Sequence, residues 1–584
     1  MAVGFQQIPP SIRVPLFYAE ISNALAGYQQ NPQPALIIAP KLAGSPGKTL
    51  TPVLMSSFSQ AVQNFGAGSI AADMVDYYRR GDSFGEMWVI ALDDAAGSVQ
   101  ATGRLSVSGS PIQGGTIPLY VGGDLIRISA ASNATPDVIA QALVDGINAS
   151  PFCLVTASLT SKQVGWSYDG TDASGMTVMV NTAVNDTVDW GDGSAVQVAT
   201  GASLTHKYAT SGVYTAHRIK AGPPQTSVLL TFPVPDDGLP EAASDVLLTA
   251  VASGELGNEI DVRFAFRGLP AGELMPPGLN IVVTPMADGA GVPDITPALD
   301  AMADDEYDFI AIPYTDGGNL DAAGDAMNDI TGRWAWDRQI YGHVFAAKMG
   351  TPQDLVTFGQ TRNDQHVSVL GFAPSPTPSW RRAASLAAQA AVGLRADPAR
   401  PLQTLPLVDC LAPDRTSAFR LGDKNTLLYS GIATEKAVAG QVQIERCVTT
   451  YQKNVWGQPD PSYLDVTTLA TLQYFVRFMR GRILQKFPRH KLANDGTAFG
   501  PGQAIVTPRI IRAELIAAYS ELVTAGIVED IDSYKNLMVV ERNANDPNRV
   551  DVLASPDLVN QLRILAALVA FRLQSAPVPA AVAA

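Results

Sequence analysis

The sequence predicts a multidomain α+β protein: an α/β core with mixed sheets, β-rich modules inserted into it, and an extended arm at each end. Two stretches, Ala35 to Leu92 and Phe309 to Phe372, alternate short apolar strand runs with helical periods, the pattern of a parallel or mixed sheet covered by helices. Part of the chain between them shifts towards Thr, Val, Asp and Gly, as turn-rich β structure does. The runs at 12–21 and 562–573 are apolar and have no complementary run beside them.

A length of 584 residues allows several cores. The pattern divides into an N-terminal arm and linker (1–30), the first part of the core (31–96), an inserted α/β domain (97–175), a small immunoglobulin-like β insertion (176–221), a middle α/β domain (222–440) and a C-terminal domain (441–584). The last of these ends in an arm at about 556–574 and a disordered tail. In the first arm Ile12, Val14, Leu16 and Tyr18 alternate with Arg13, Pro15 and Phe17. Pro15 cannot donate to a ladder, so this run is either the edge strand of the following domain or an arm lying on another surface.

From Ala35 the expected order is a strand to Ala39, helices near Ser57–Phe65 and Ser69–Tyr78, and a strand Met87–Leu92. Three enzyme-like motifs fall here, and each fails on context. Gly44 to Thr49 lacks the first glycine of a phosphate loop because position 42 is Leu42; Gly66, Gly68 and Ala71 follow a helix where a dinucleotide site needs a strand; Gly81 to Gly85 reverses the strand-then-helix order of a nucleophile elbow. Strands near Leu105, Ile117–Val121 and Leu125–Ser129 follow, with a Gly122-Gly123 turn and a helix entered through Thr135 and Pro136 whose core face is Ile139, Leu143 and Ile147. Val188 to Ser194 and His206 to Ala216 are similar to the paired signature of polycystic-kidney-disease-type modules, over a stretch too short for a full two-sheet fold. Asp189 and Asp192 read as turn residues, since no bidentate Glu follows at calcium-loop spacing.

Val246–Phe266 returns to sheet, and Ile281–Pro285 reads as a buried strand. The second alternating run comprises a strand Phe309–Pro313, a helix around Leu320–Gly332, a strand Gly342–Ala347, a helix from Pro352 and a strand Val367–Phe372. Asp316 to Gly318 read as a loop and helix cap, His343 and His366 as core histidines, and Ala383–Leu394 as a closely packed small-residue helix. The densest signals lie between Tyr463 and Gln574. A long helix carries Leu469, Leu472, Val476, Met479 and Ile483 as one seam and ends at Pro488; a second starts at Thr507-Pro508, buries Ile511, Leu515, Tyr519 and Leu522, and stops at Gly526. Strands Leu537–Glu541 and Arg549–Leu553 follow, joined by an Asn545 to Asn548 turn. The terminal arm, with Leu562, Ile564, Leu568, Phe571 and Leu573, is expected to add as a strand to another molecule.

The net charge of −15 and pI near 4.8 argue against direct nucleic-acid binding. Arg563 and Arg572 leave too short an uncharged run for a membrane helix, and residues 1–10 show no secretory leader, so a soluble chain made in a cytoplasm is expected. Cys153, Cys410 and Cys447 are scattered, which favours reduced thiols over disulfides or zinc. No catalytic residue, cofactor or metal is expected. The cations Arg477, Arg480, Arg482, Lys486, Arg489 and Lys491 suggest a surface for an acidic partner, such as a neighbour's Glu529, Asp530 and Asp532; a solvated helix face is the competing reading.

Four segments carry a family resemblance: FQQIPPSIRVPLFYAEI from Phe5, SGELGNEIDVRF from Ser253, KFPRHKLANDGTAFGPGQAIVTPRIIRAEL from Lys486, and GIVEDIDSYKNLMVVERNANDPNRVDVLASPDLVNQL from Gly526. The chain resembles contractile-tail sheath proteins of Mu-like bacteriophages everywhere except near 176–219. The resemblance implies a structural protein that stacks as hexameric rings around a tail tube, meets a baseplate and a tail terminator, and contracts to drive the tube through a host envelope. It also implies terminal arms that add strands to neighbouring subunits, and it makes the inner tube a second acidic partner to expect for the cations from Arg477 to Lys491. A surface adhesin, suggested by the immunoglobulin-like fragment and by Arg80, Gly81 and Asp82, and a glycine-loop enzyme are the alternatives.

Overall fold

The computed structural model describes residues 33–159, 166–172, 175–210, 212–219, 226–232, 241–242, 244–500, 502–571 and 573. Ile12, Val14, Leu16 and Tyr18 lie outside the described residues.

A nine-stranded mixed sheet forms the centre. Its strands are β1 (Ala35–Pro40), β2 (Val53–Leu54), β3 (Met87–Leu92), β4 (Phe309–Ala311), β5 (His343–Met349), β6 (Val367–Phe372), β7 (Pro406–Leu411), β8 (Ile432–Val438) and β9 (Gln441–Arg446), in spatial order 2-3-1-4-5-6-8-9-7. From β3 to β8 the neighbours are parallel, and the outer strands β2, β9 and β7 are antiparallel to theirs. Side chains alternate between faces, so each strand serves two cores. Ile37, Val89, Phe345 and Leu370 enter one, and Leu36, Ile90, Ile310 and Val344 enter the other. A sheet buried on both sides reads as a continuous apolar run, which is why ALIIAP and VSVLGF were legible as strands.

Helices α1 (Ile70–Gly81) and α2 (Ser379–Ala396) cover the first face. Six alanines of α2, from Ala383 to Ala391, are fully buried, and a side chain at Gly81 would come within 2.8 Å of Ala388. Gly81 is therefore a close-packing residue between helices. The helices Thr296–Ala301 and Gly317–Met327 cover the other face, the latter capped by Asp316, whose Oδ1 accepts from the Asn319 amide at 3.0 Å. Composition gave no hint of the charges under α2. The Arg381 guanidinium is buried and donates to both Asp73 carboxylate oxygens at 2.7 and 2.8 Å, to Asp124 at 2.9 Å and to the Gly122 carbonyl at 2.9 Å. It ties α1, α2 and the 122–124 turn together.

That turn belongs to a domain assembled from two separated segments. A four-stranded antiparallel sheet combines Gln100–Gly109 and Val155–Leu159 with Ser244–Ser253 and Leu279–Ala287, and Val246 pairs with Leu105. A three-stranded sheet and the helix Pro136–Asn148 complete it. Residues 244–287 thus pack with 99–159, and the expected grouping of 222–287 with the middle α/β domain does not match the strand pairing. The strand expected to be buried at Ile281–Pro285 lies at the edge of this sheet, with Val282 half exposed.

Nested inside this domain is a β-sandwich. A three-stranded and a five-stranded sheet, drawn from strands between Trp166 and Ala242, enclose Met176, Val178, Val188, Trp190 and Tyr208. The two-sheet module that the sequence appeared too short to hold is present, because strands Trp166–Asp172 and Thr226–Phe232 extend it on both sides of the expected 176–221. Asp192 accepts from the Ser194 amide and meets His206 Nε2 at 2.7 Å, which accounts for it as a turn residue.

The C-terminal domain holds α3 (Val466–Lys486), α4 (Pro508–Thr524), the helix Ile531–Leu537 and a two-stranded hairpin, Val539–Arg542 with Val550–Leu553. Thr507 caps α4 and Gly526 follows it at φ +72°. The seam of α3 differs from expectation: Val466, Leu469, Phe475 and Met479 are buried, whereas Val476 faces out. Gln473 and Arg477, on the side of α3 turned to the sheet, bond Asp308 at the entry to β4. The polar edge of the sheet thus selects the face that packs.

Candidate assembly surface

The terminal arm is anchored and then released. Asp557–Leu558 pairs antiparallel with Val528–Glu529, Gln561 Nε2 donates to the Ala399 carbonyl at 2.7 Å, and Arg563 meets Asp465, the residue at the start of α3, at 3.1 Å. The described residues from Leu562 onward form neither strand nor helix, and Leu562, Ile564, Leu568, Phe571 and Leu573 are each at least 78% exposed. A globular chain rarely leaves so many large apolar side chains in one contiguous exposed run. Burying each would contribute ~1.5–3 kcal/mol. The hairpin Val539–Arg542/Val550–Leu553 offers matching chemistry: among the described residues it has two strands only, and Val539, Val552 and Leu553 are exposed.

Three of the six cations on and after α3 are paired within the subunit. Arg477 is engaged by Asp308 at 2.6 Å and Glu306 at 2.9 Å, with its guanidinium 5.4 Å above the Tyr341 ring. Burial pushes the Asp308 carboxyl up to about 6 even though Arg477 pulls it down. Arg482 pairs with Glu514 and Glu521, and Lys486 with Glu514. These acids arrive from distant positions on α4 and before β4, so sequence proximity could not reveal the pairing. Arg480 and Arg489 remain exposed, and Lys491 Nζ lies 3.4 Å from Gln503 Oε1. The suggested acidic neighbour run is also committed locally: Asp530 caps the helix Ile531–Leu537 and Asp532 meets Lys535.

The enzyme-like motifs resolve into packing. Ser83 Oγ donates to the Arg79 carbonyl; Asp82 is buried and accepts from Tyr78, the Gly85 amide and Arg395. Arg80 pairs with Asp76 and Asp409, so Arg80 to Asp82 do not form a presented loop. A Cβ at Gly47 would lie 2.6 Å from the Asn64 carbonyl oxygen. His343 Nε2 lies 2.8 Å from Ser368 Oγ, and His366 Nε2 meets Asp329 at 2.8 Å across the fold. The Cys410 and Cys447 thiols are buried and pushed up to about 12 by desolvation. Among the described residues no group of three or more His, Cys, Asp or Glu is placed to hold a metal, and no helix is long and apolar enough to cross a membrane.

Two family descriptions match: "Phage tail sheath protein central domain" over residues 288–450 and "Phage tail sheath C-terminal domain" over 458–572. The Mu-like prophage FluMu tail sheath protein of Haemophilus influenzae is 35% identical over 574 residues, covering 98% of this chain and 100% of that one. The chain belongs to the phage tail sheath family. Among solved structures, the sheath tail protein of Desulfitobacterium hafniense aligns at a TM-score of 0.42 and 12% identity over 94% of this chain and 97% of its own. That of Listeria innocua aligns at 0.41 and 12% over 91% and 92%. In sheath terms, the central match spans β4 to β9 with α2, and the C-terminal match spans α3, α4, the hairpin and the arm. The sandwich and the four-stranded domain precede both matches.

Proposed function

We propose that this sheath subunit polymerises as stacked hexameric rings around a tail tube and contracts to drive the tube through a host envelope. Its partners are further copies of itself, the tube protein, a baseplate and a tail terminator, and its place is the virion tail, after assembly in the host cytoplasm. The reading has no catalytic step and needs no cofactor. The observation that carries it is the apolar arm, whose Leu562, Ile564, Leu568, Phe571 and Leu573 stand in water. Donated to a neighbour's sheet, such an arm gains roughly 1 kcal/mol per backbone hydrogen bond in addition to its apolar burial. Residues 12–21, with Ile12, Val14, Leu16 and Tyr18, are proposed as the second arm. Many tethered arms per ring let bodies repack while the lattice stays joined. Electron microscopy of the purified chain tests this: hollow cylinders are expected, and a persistently monodisperse monomer would sink the proposal.

A further inference from the structure

The chain enters the body and leaves it along the same stretch of α3. At the entry, Gln33 and Pro34 are held by their carbonyls: Arg395 Nε donates to the first and the Asp308 amide to the second, both at 2.8 Å. Asp308 in turn accepts from Gln473 of α3. At the exit, Gln561 Nε2 holds the Ala399 carbonyl at 2.7 Å, the adjacent Pro398 carbonyl accepts from Thr471 of α3 at 3.1 Å, and Arg563 meets Asp465 at 3.1 Å. The three contacts on α3 fall between Asp465 and Gln473, roughly 12 Å along the helix. Arg395 and Ala399, which hold the two ends directly, lie in the last turn of α2 and just beyond it.

Two apolar segments therefore start from one root. Leu562, Ile564, Leu568 and Phe571 stand exposed on the far side of the exit, and before the entry Ile12, Val14, Leu16 and Tyr18 alternate along residues 12–21. Residues 22–32, extended, reach up to roughly 35 Å, enough to bring Ile21 beside Leu562. One run heads towards the root and the other away from it. Laid together they are antiparallel, and each offers the backbone donors and acceptors that the other needs.

We propose that in the unassembled subunit residues 12–21 pair with the arm 562–573 of the same chain and hold both arms back from polymerisation. The contact rests on the sheath reading above and adds a state that precedes assembly. A lone two-stranded ribbon is marginally stable in water, so it shields apolar side chains in the free subunit and yields when a neighbour's sheet offers each arm a larger partner. With Ile21 beside Leu562, Glu20 falls opposite Arg563 while Arg13 falls near Arg572, which favours the root of the ribbon and opens it from the tip. Pro15 lacks a donor and fits, because each strand of a ribbon keeps an outer edge.

The test uses the full-length chain carrying Ala19→Cys and Ala566→Cys, produced separately in light and heavy nitrogen and mixed below the concentration at which cylinders form. A short bifunctional thiol cross-linker, read by mass spectrometry, should join positions 19 and 566 within one isotope only. Neither single variant should give this link, which controls for the native thiols, and it should disappear when the mixture is concentrated into cylinders. Links joining light to heavy below that concentration would mean that copies pair, and no link from a chain that still forms cylinders would mean that the arms lie apart; either result overturns the proposal and leaves the sheath reading intact. Same-chain links in a chain that forms no cylinders at any concentration would remove the sheath reading, and with it the role given to this contact. Independently, removing residues 1–32 should speed tryptic cleavage after Arg572 by on the order of tenfold or more, because the arm loses its cover. An unchanged rate would refute the pairing.

Discussion

The central sheet and the terminal arm draw on the same residues, Leu, Ile, Val, Phe and Ala, and end in opposite environments. In the sheet every strand from β3 to β6 finds helices on both faces, and Leu36, Ile38, Val89 and Phe345 are sealed from water. In the arm Leu568 stands 98% exposed. Apolar composition states a demand for burial; the topology decides whether the chain meets it alone. One region is finished by folding, and in the function proposed above the other is left to assembly.

Cutting the chain after Arg563 should break this contrast most sharply. Such a chain keeps the Asp557–Leu558 pairing and the Gln561 and Arg563 contacts, so the monomer should melt within a few degrees of the intact one while polymerisation, read by electron microscopy and sedimentation, is lost. A cut after Ser555 would also remove those anchors and is the poorer test. Next in size, Arg381→Ala should destabilise the body by about 3–5 kcal/mol, because it leaves Asp73 buried without its charge partner. A denaturant titration checks this, and an unchanged midpoint would show that the clamp is idle.

Asp308 sharpens the comparison through pH. Its folded pKa, about 6, lies above the unfolded carboxylate value, so the folded state holds the extra proton in between. The contribution is present in full below about pH 4 and is lost as pH rises through 6. Relative to Asp308→Asn, the intact chain should lose on the order of 2–3 kcal/mol of stability across that window. Parallel melting curves for the two chains would refute the assignment. Replacing 166–242 with a Gly/Ser linker should cost about 1 kcal/mol or less and preserve cylinders, since the sandwich closes its own core; loss of folding would make it part of the body. The smallest effect belongs to Arg480→Glu with Arg489→Glu. These exposed cations should alter assembly by ~0–1 kcal/mol, more at low salt than at high. Reversing Arg477 would instead break the Asp308 pair and measure folding.

Elements with a local cause were legible from sequence. The caps at Thr507 and Asp316, the left-handed stop at Gly526, the Gly122-Gly123 turn and the alternating strands needed only neighbouring residues. Whatever depended on distant partners was not. Arg381 with Asp73, Arg482 with Glu514, and the pairing of Ser244–Ser253 with Gln100–Gly109 join positions far apart in the chain. The same limit explains the basic cluster, six cations that read as one patch until acids from elsewhere claimed three of them. The apolar excess of the C-terminal arm was visible; its anchoring through Gln561 and Arg563 was not.

The strand order also sets a schedule for synthesis. Strand β1 pairs with β4 at Ala35 and Phe309, 274 positions apart. At ~5–20 residues per second a ribosome needs roughly 15–55 s to deliver the second strand after the first. Throughout that interval β1 and β3 hold an open edge that another nascent chain could join. What emerges meanwhile is the four-stranded domain and the sandwich nested within it, whose strands pair among themselves between residues 100 and 287. They can settle on the ribosome without waiting for the core. A longer insert at the same place would lengthen the delay but would not obstruct the closing of the sheet.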